Sequence, residues 1–171
     1  GNIGYNIGAG PLQIGGVDYV RFFNNTFKDM NTKNATAASV YFHNESTNYS
    51  LGNHCFNNIF AGCGVPPGAN TAISVQAPSE VTKSNNLGHA TGTDPSFDST
   101  DDPVFTDEAG HDFTLQAASP AINLGKAITT VASASGSGTS FDVVDAGFFC
   151  DGFGVCEGDL IKVGSNAKER I

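Results

Sequence analysis

The sequence predicts an all-β solenoid, in which short strands wind into coils that stack on one another. Three observations carry this. A five-residue block, Phe23-Asn24-Asn25-Thr26-Phe27, returns as Phe56-Asn57-Asn58-Ile59-Phe60, and a fainter copy follows as Ser84-Asn85-Asn86-Leu87. The interval, about 30 residues, falls in the range of repeats that stack and share a core. Between the copies, apolar residues come in short alternating runs rich in Val, Ile, Phe and Tyr, bounded by Gly, Asn, Asp and Pro. That is strand and turn chemistry, without the long 3.6-residue periodicity that helical repeats require. A paired asparagine at one place in each coil has a physical use. Asn tolerates left-handed backbone at a sharp bend, and its carboxamide can bond to backbone and to a carboxamide stacked above it. Asn24, Asn25, Asn57, Asn58, Asn85 and Asn86 are therefore the expected ladder. Which member of each pair turns the corner is not encoded in the repeat.

Taken in order, residues 1–16 read as a first, partial coil, with a strand at Pro11-Leu12-Gln13-Ile14 and a turn at Gly15-Gly16. Residues 17–27 are the strongest strand region, with Val20 and Phe22 inward and Tyr19 and Arg21 outward. Residues 28–38 are polar and read as a loop. The next strand, residues 40–45, puts Val40 and Phe42 on one face and Tyr41, His43 and Glu45 on the other. Residues 51–60 begin the second full copy, where His54 takes the place of Arg21. Residues 62–70, with Pro66-Pro67-Gly68, form a turn. Ile73 and Val75 make a short strand, and residues 81–87 are the third copy. From Asp94 the pattern changes. Asp94-Pro95-Ser96-Phe97 and Asp102-Pro103-Val104-Phe105 are two turn-and-anchor units, followed by Asp112-Phe113-Thr114-Leu115 and Ser119-Pro120-Ala121-Ile122.

These elements divide the chain into coils and a closing segment over 1–125, a flexible Ser/Gly-rich linker over 126–140 and a small β appendix over 141–171. Terminal repeats normally carry a cap. The repeat-like start predicts further coils before Gly1, and the uncapped residues 166–171 leave room for a continuation.

The 171 residues suit a domain with a sizeable core. Lys plus Arg total 8 against 17 Asp plus Glu, a formal net charge of −9. That balance argues against nucleic acid and anionic membranes as partners. An acidic polysaccharide would need a local basic patch or bridging cations. No apolar run has the length of a membrane span, and no signal peptide opens the chain. The cysteines fall into two local pairs, Cys55 with Cys63 and Cys150 with Cys156, and local disulfides are the expected pairing of the three possible. Metal binding is the rival, but neither pair has zinc-site spacing. Disulfides favour an extracellular or cell-surface location, with which sequons at Asn24, Asn34, Asn44 and Asn48 are compatible.

The Asn-Asn-x-Phe coils, the Asp-Pro-x-Phe units, Asp112-Phe113-x-Leu115 and Ser119-Pro120-Ala121-Ile122 together resemble the C-terminal end of right-handed parallel β-helix proteins, the pectate-lyase-like group of secreted proteins. The resemblance covers residues 10–125. It implies a carbohydrate-directed module, the end of a larger polysaccharide lyase or related enzyme, with most of its active site on upstream coils. The alternative is a noncatalytic adhesin or structural scaffold, or a fragment that self-associates through exposed coil ends. No catalytic residue follows from the resemblance.

From the residues themselves, the outward row Tyr41, His43 and Glu45 is the most suggestive group for binding a glycan, with Arg21 and His54 on neighbouring coils. A β-eliminating lyase needs a base and a cation that neutralises the uronate, and these residue types are suitable. The plain alternative is a solvated strand face. The carboxylates Asp94, Asp98, Asp101, Asp102, Asp107 and Glu108 read as turn residues rather than a hydrolytic pair. Their density makes Ca²⁺ a possible ligand, although no EF-hand loop occurs. Tyr5, Tyr19, Tyr41 and Tyr49 are candidates for stacking on sugar rings.

Overall fold

The computed structural model describes residues 1–8, 12–33, 38–64, 72–92, 94, 96–133, 140–161 and, by backbone, 169–170. Expectations for Pro11, the Asn34 sequon, Pro66-Pro67-Gly68, Pro95 and most of the stretches 132–140 and 166–171 lie outside the described residues. The chain divides into two compact units, Gly1–Lys126 and Ala127–Ile171.

Among the described residues of the first unit, the column is built by the strands β1 (Ile3–Tyr5), β2 (Leu12–Gly15), β3 (Arg21–Phe23), β4 (Thr26–Lys28), β5 (Val40–His43), β6 (Asn53–Phe56), β7 (Ile59–Ala61), β8 (Ile73–Val75), β9 (Val81–Ser84), β10 (Asn86–His89) and β11 (Phe97–Ser99). They build three sheets, A (β1-β4-β7-β10-β11), B (β2-β5-β8) and C (β3-β6-β9). Every pairing within them is parallel. The chain visits A, B and C in turn and then repeats, so each circuit is one coil of a parallel β-solenoid.

The two asparagines of each pair do different work. Asn24, Asn57 and Asn85 have φ of 55°, 56° and 54°, so the first member turns the corner from sheet C to sheet A in left-handed backbone. The second member points inward. Asn25 Nδ2 donates to Asn58 Oδ1 at 2.9 Å, and Asn58 Nδ2 donates to Asn86 Oδ1 at 3.0 Å. The same acceptors take the backbone N–H of Asn25 and of Asn58, each at 3.0 Å. Asn2 adds a rung absent from the expected ladder, its Nδ2 donating to Asn25 Oδ1 at 3.1 Å. The corner also explains why residues 17–27 are not one strand. Asn24 breaks them into β3 and β4, on different sheets.

Aromatic rings fill the space inside the ladder. Phe27 stacks on Phe60 with centroids 5.4 Å apart, and Phe60 meets Phe97 at 6.0 Å. The third copy of the repeat lacks its phenylalanine because Gly88 stands in register with Phe60. A Cβ on Gly88 would lie 2.2 Å from the Phe97 ring, so the glycine clears the space that this ring occupies. Val40, Phe42, Ile73, Cys55 and Cys63 complete the core. At the other corners, Val20 N–H donates to Asn53 Oδ1 at 2.7 Å, and Ser50 N–H donates to Ser79 Oγ at 3.0 Å.

The core ends in a charge pair. Lys83 continues the inward column of Phe22 and Cys55. Its ammonium donates to both carboxylate oxygens of Asp94, at 3.1 and 3.0 Å, where the Asp94 side chain is only 1% exposed. Asp94 Oδ1 also accepts Ser96 N–H at 2.9 Å, the turn geometry its sequence neighbours predict.

The closing segment covers the outside of sheet A. β12 (Phe105–Asp107) and β13 (Asp112–Leu115) form an antiparallel hairpin. Phe105, Phe113 and Leu115 pack with Ile59 and Ala61. Lys28 fastens the hairpin, 2.7 Å from Asp29 and 3.3 Å from Glu108. Burial opposes the Lys28 ammonium, but its hydrogen bond and charge pairing with Asp29, aided by Glu108, raise its pKa. The chain then runs back along the C–A corner, where the corner asparagines hold it. Asn85 Nδ2 donates to Leu124 O at 2.9 Å, Asn57 Nδ2 donates to Lys126 O at 2.8 Å, and Lys126 N–H donates to Asn57 Oδ1 at 2.8 Å.

In the second unit, Val131 bridges Val143, and β14 (Leu160–Ile161) pairs antiparallel with β15 (Glu169–Arg170). Residues 146–148, within the expected β appendix, form a 3-10 turn, where Gly147 N–H donates to Asp145 Oδ1 at 2.8 Å.

The expected disulfides are not formed: Cys55, Cys63, Cys150 and Cys156 are all free thiols. Cys55 points inward from sheet C, while Cys63 follows β7 of sheet A and donates to Phe27 O at 3.5 Å. Each is a separate core position. The loop after Cys150 is closed instead by hydrogen bonds, Cys150 N–H to Asp159 Oδ2 and Asp159 N–H to Cys150 O, both at 2.8 Å. The argument from disulfides to an exported protein therefore does not carry.

Three outcomes follow. Asn58→Ala removes a buried acceptor of two N–H groups and lowers unfolding free energy by about 3 kcal/mol, whereas Asn57→Gly keeps the left-handed corner and costs about 1 kcal/mol; urea melts compare them. Alkylation of the native protein modifies Cys156 and spares Cys55 and Cys63 until denaturant is added. Burial pushes the Cys55 thiol up to about 12, so the native state keeps a proton that the unfolded chain loses above about pH 8.5. Stability contributed by this neutral thiol is present below that pH and falls as pH rises towards the native value, by up to about 1.4 kcal/mol per pH unit. Cys55→Ala makes that slope shallower.

Candidate functional site

Three parallel sheets give three outer faces, and their alternation decides what each displays. On sheet A, the hairpin covers Ile59 and Ala61. Sheets B and C carry all five residues that the sequence nominates for ligand binding, but divide them. Tyr41 and His43 lie on β5 of sheet B with Glu45 just beyond it, whereas Arg21 and His54 face each other in register on β3 and β6 of sheet C.

On sheet B the three nominated side chains do come together, and they satisfy one another. The Tyr41 and His43 rings stack with centroids 5.3 Å apart. The Tyr41 hydroxyl donates to Gln76 Oε1 at 3.1 Å, an oxygen that also accepts Asn44 N–H at 3.2 Å. His43 Nδ1 is 3.1 Å from Asn44 O and 3.6 Å from Glu45 Oε1. A carbonyl at that distance holds the proton on Nδ1. Both rings are half-buried, with the His43 ring lying over Gly15.

Sheet C presents a more open arrangement. Two rows cross the side of this sheet away from its inward column, the exposed Arg21–His54–Thr82 and the covered Phe23–Phe56–Ser84, in which Phe56 is buried. Tyr19, two residues before Arg21, is 74% exposed. Its ring lies across the next coil at Gly52, where φ is 63° and an added Cβ would come within 2.8 Å of the ring. The Tyr19 backbone is held by its N–H to Leu51 O at 3.0 Å, and the coil is tied again by Leu51 N–H to Asp18 Oδ1 at 2.9 Å. The far side of the face carries Lys126. Its ammonium donates to Ser84 Oγ at 2.8 Å and sits 4.5 Å above the Phe56 ring, which stacks on Phe23 at 5.5 Å. Arg21, His54 and Lys126 thus share one face of a protein whose net charge is −9.

Tyr19 belongs to the aromatic residues that sequence nominates for stacking, but its place beside Arg21 and His54 depends on coil register. Lys126 has no such signal. It reaches sheet C only because the corner asparagines pin the strap that ends in it.

The face offers the Tyr19 plane, the exposed Arg21 and His54 side chains in register and the Thr82 hydroxyl at the end of their row. Such a surface can stack on a sugar ring and oppose an anionic substituent. The nominated residues are divided between faces: Tyr41 and His43 are on sheet B, whereas Arg21 and His54 stand in register on sheet C. The carboxylates mostly serve turns, Asp102 Oδ1 accepting Val104 N–H at 2.8 Å and Asp107 Oδ1 accepting Gly110 N–H at 2.9 Å. Among the described residues no cluster of three or more His, Cys, Asp or Glu side chains is placed to hold a metal ion. No helix among them is long and apolar enough to cross a membrane. No family model matches the chain, and comparisons with curated proteins and with solved structures find no match.

Proposed function

We propose that the chain is an extracellular carbohydrate-directed module of the pectate-lyase-like, right-handed β-helix type, the C-terminal part of a larger carbohydrate-active protein, and that it binds an acidic polysaccharide across sheet C. The observation that carries this reading is the exposed Tyr19 ring laid over Gly52 beside the in-register pair Arg21 and His54. The ring supplies a stacking plane for a pyranose. Arg21 and Lys126 supply positive charge for a carboxylate, in a chain otherwise dominated by acids. An aromatic plane next to a cation suits a uronic-acid chain better than a neutral one. The role we propose is binding, which needs only the stacking plane and the positive charge that Tyr19, Arg21 and Lys126 bring to this face.

A second reading has its own support. The buried ladder and the strap along its corner make a stiff column, and a stiff column serves a noncatalytic adhesin or scaffold as a spacer.

Affinity electrophoresis in gels containing a polyuronate or a neutral glucan separates the two. Retardation by the polyuronate, weakened about tenfold by Tyr19→Ala and by Arg21→Ala and fading as salt rises, is the expected result. Tyr41→Ala, on the other sheet, leaves it unchanged. No retardation in any acidic gel overturns the binding role and leaves the spacer reading. Loss with Tyr41→Ala alone moves the site to sheet B.

A further inference from the structure

Two sequons, Asn44-Glu45-Ser46 and Asn48-Tyr49-Ser50, share the loop that follows β5, and the fold treats their carboxamides differently. Of the other two, Asn24 turns the C–A corner and Asn34 lies outside the described residues. The loop folds back on itself in a tight turn. Asn48 N–H donates to Glu45 O at 2.8 Å and Glu45 N–H donates to Asn48 O at 3.0 Å, with Ser46 between them in left-handed backbone, φ 57°.

Asn44 stands at the foot of this turn and is held by the next coil. Its Nδ2 donates to Ala77 O at 2.9 Å, its Oδ1 accepts the Ser79 hydroxyl, and its backbone N–H donates to Gln76 Oε1 at 3.2 Å. Ser79 Oγ in turn accepts Ser50 N–H. The Asn44 carboxamide is therefore a link between two coils, bonded at both of its ends. Asn48 is the opposite case. Its backbone closes the turn, but its carboxamide has no hydrogen-bond partner among the described residues. Asn48 is exposed, and so are Glu45, Ser46, Thr47 and Tyr49 around it.

We propose that Asn48 is an N-glycosylation site of the folded protein and that Asn44 is not. A sequon is used only in a chain that enters a secretory compartment, so the proposal rests on the extracellular reading above. In the transfer, Asn48 Nδ2 forms a bond to the anomeric carbon of a lipid-linked oligosaccharyl pyrophosphate. The bond from that carbon to the phosphate oxygen breaks, the lipid pyrophosphate leaves with the electron pair, and Nδ2 loses one proton. Ser50, which completes the sequon, is fully buried in the folded chain. Its hydroxyl donates to His43 O at 3.1 Å and accepts Val17 N–H at 3.4 Å. Transfer therefore precedes closure of the loop, and folding sorts the products afterwards. A sugar on Asn48 projects from an exposed turn and breaks no bond. A sugar on Asn44 replaces a hydrogen of an amide gripped between Ala77 and Ser79, and a chain that carries it does not close this contact between coils.

The test secretes the chain from a eukaryotic cell behind a cleaved signal peptide. Folded protein from the medium is treated with peptide-N-glycosidase in heavy-oxygen water, which converts each glycan-bearing asparagine to labelled aspartate. Fragmentation of the peptide that spans both sequons is expected to place the label at position 48 and to show unlabelled asparagine at 44. In secreted Asn48→Gln the label is lost from this peptide and does not move to 44. Label at 44 in secreted protein, or unmodified asparagine at 48, overturns the proposal. Wild-type chain missing from the medium while Asn48→Gln is secreted overturns it too, because the fold would then not carry the glycan. Polyuronate takes no part in this readout. A failed glycan map leaves the binding role of sheet C standing, and failure of gel retardation leaves the glycan map standing.

Discussion

A carboxamide buried in a protein core is tolerated only when its hydrogen-bonding groups find partners. In this protein that requirement is met one coil away, so each inner asparagine fixes the coil above it relative to the coil below. Asn58 is bonded on both sides, to Asn25 and to Asn86. A slip of one residue would break both rungs and turn the inward Phe27 and Phe60 towards solvent. The ladder therefore sets register, and register sets which side chains every sheet shows.

The outer asparagine of each pair turns that regularity into tertiary structure. Its left-handed backbone directs the carboxamide out of the core, where Asn57 and Asn85 catch the backbone of the returning strap. The strap in turn delivers Lys126 to sheet C. The hairpin before it occupies sheet A through Phe105 and Phe113. Sheets B and C also present outward residues, and they differ because Tyr41 and His43 stack on each other and bond to Gln76 and Asn44 while Tyr19, Arg21 and His54 are exposed.

The distribution of charge follows the same division. Lys28 serves the hairpin through Asp29 and Glu108, and Lys83 closes the core against Asp94. Replacing either partner of the Lys83–Asp94 pair leaves a charge in a site nearly closed to water, which is why such a pair is structural rather than available to a ligand. Arg21 and Lys126 instead lie on the outer face of sheet C, near the Tyr19 and Phe56 rings, and this is where the candidate site falls.

The sequence by itself determined the solenoid, the inward columns of Val40 and Phe42, the outward position of Tyr41 and His43, and the equivalence of Arg21 and His54, because strand alternation and coil period are local patterns that survive in one dimension. It also marked the asparagine pairs. It left open which member faces inward, since both are asparagine and only the φ of the folded corner separates them. Pairing of Cys55 with Cys63 looked reasonable from proximity along the chain, but the corner between sheets C and A gives each thiol its own place in the core. The binding face was decided by tertiary structure: Tyr19, Arg21 and His54 meet through coil register, and Lys126 joins them across 42 residues from Ser84 by way of the strap. Contacts between coils depend on the whole column being wound, and no stretch of sequence contains them.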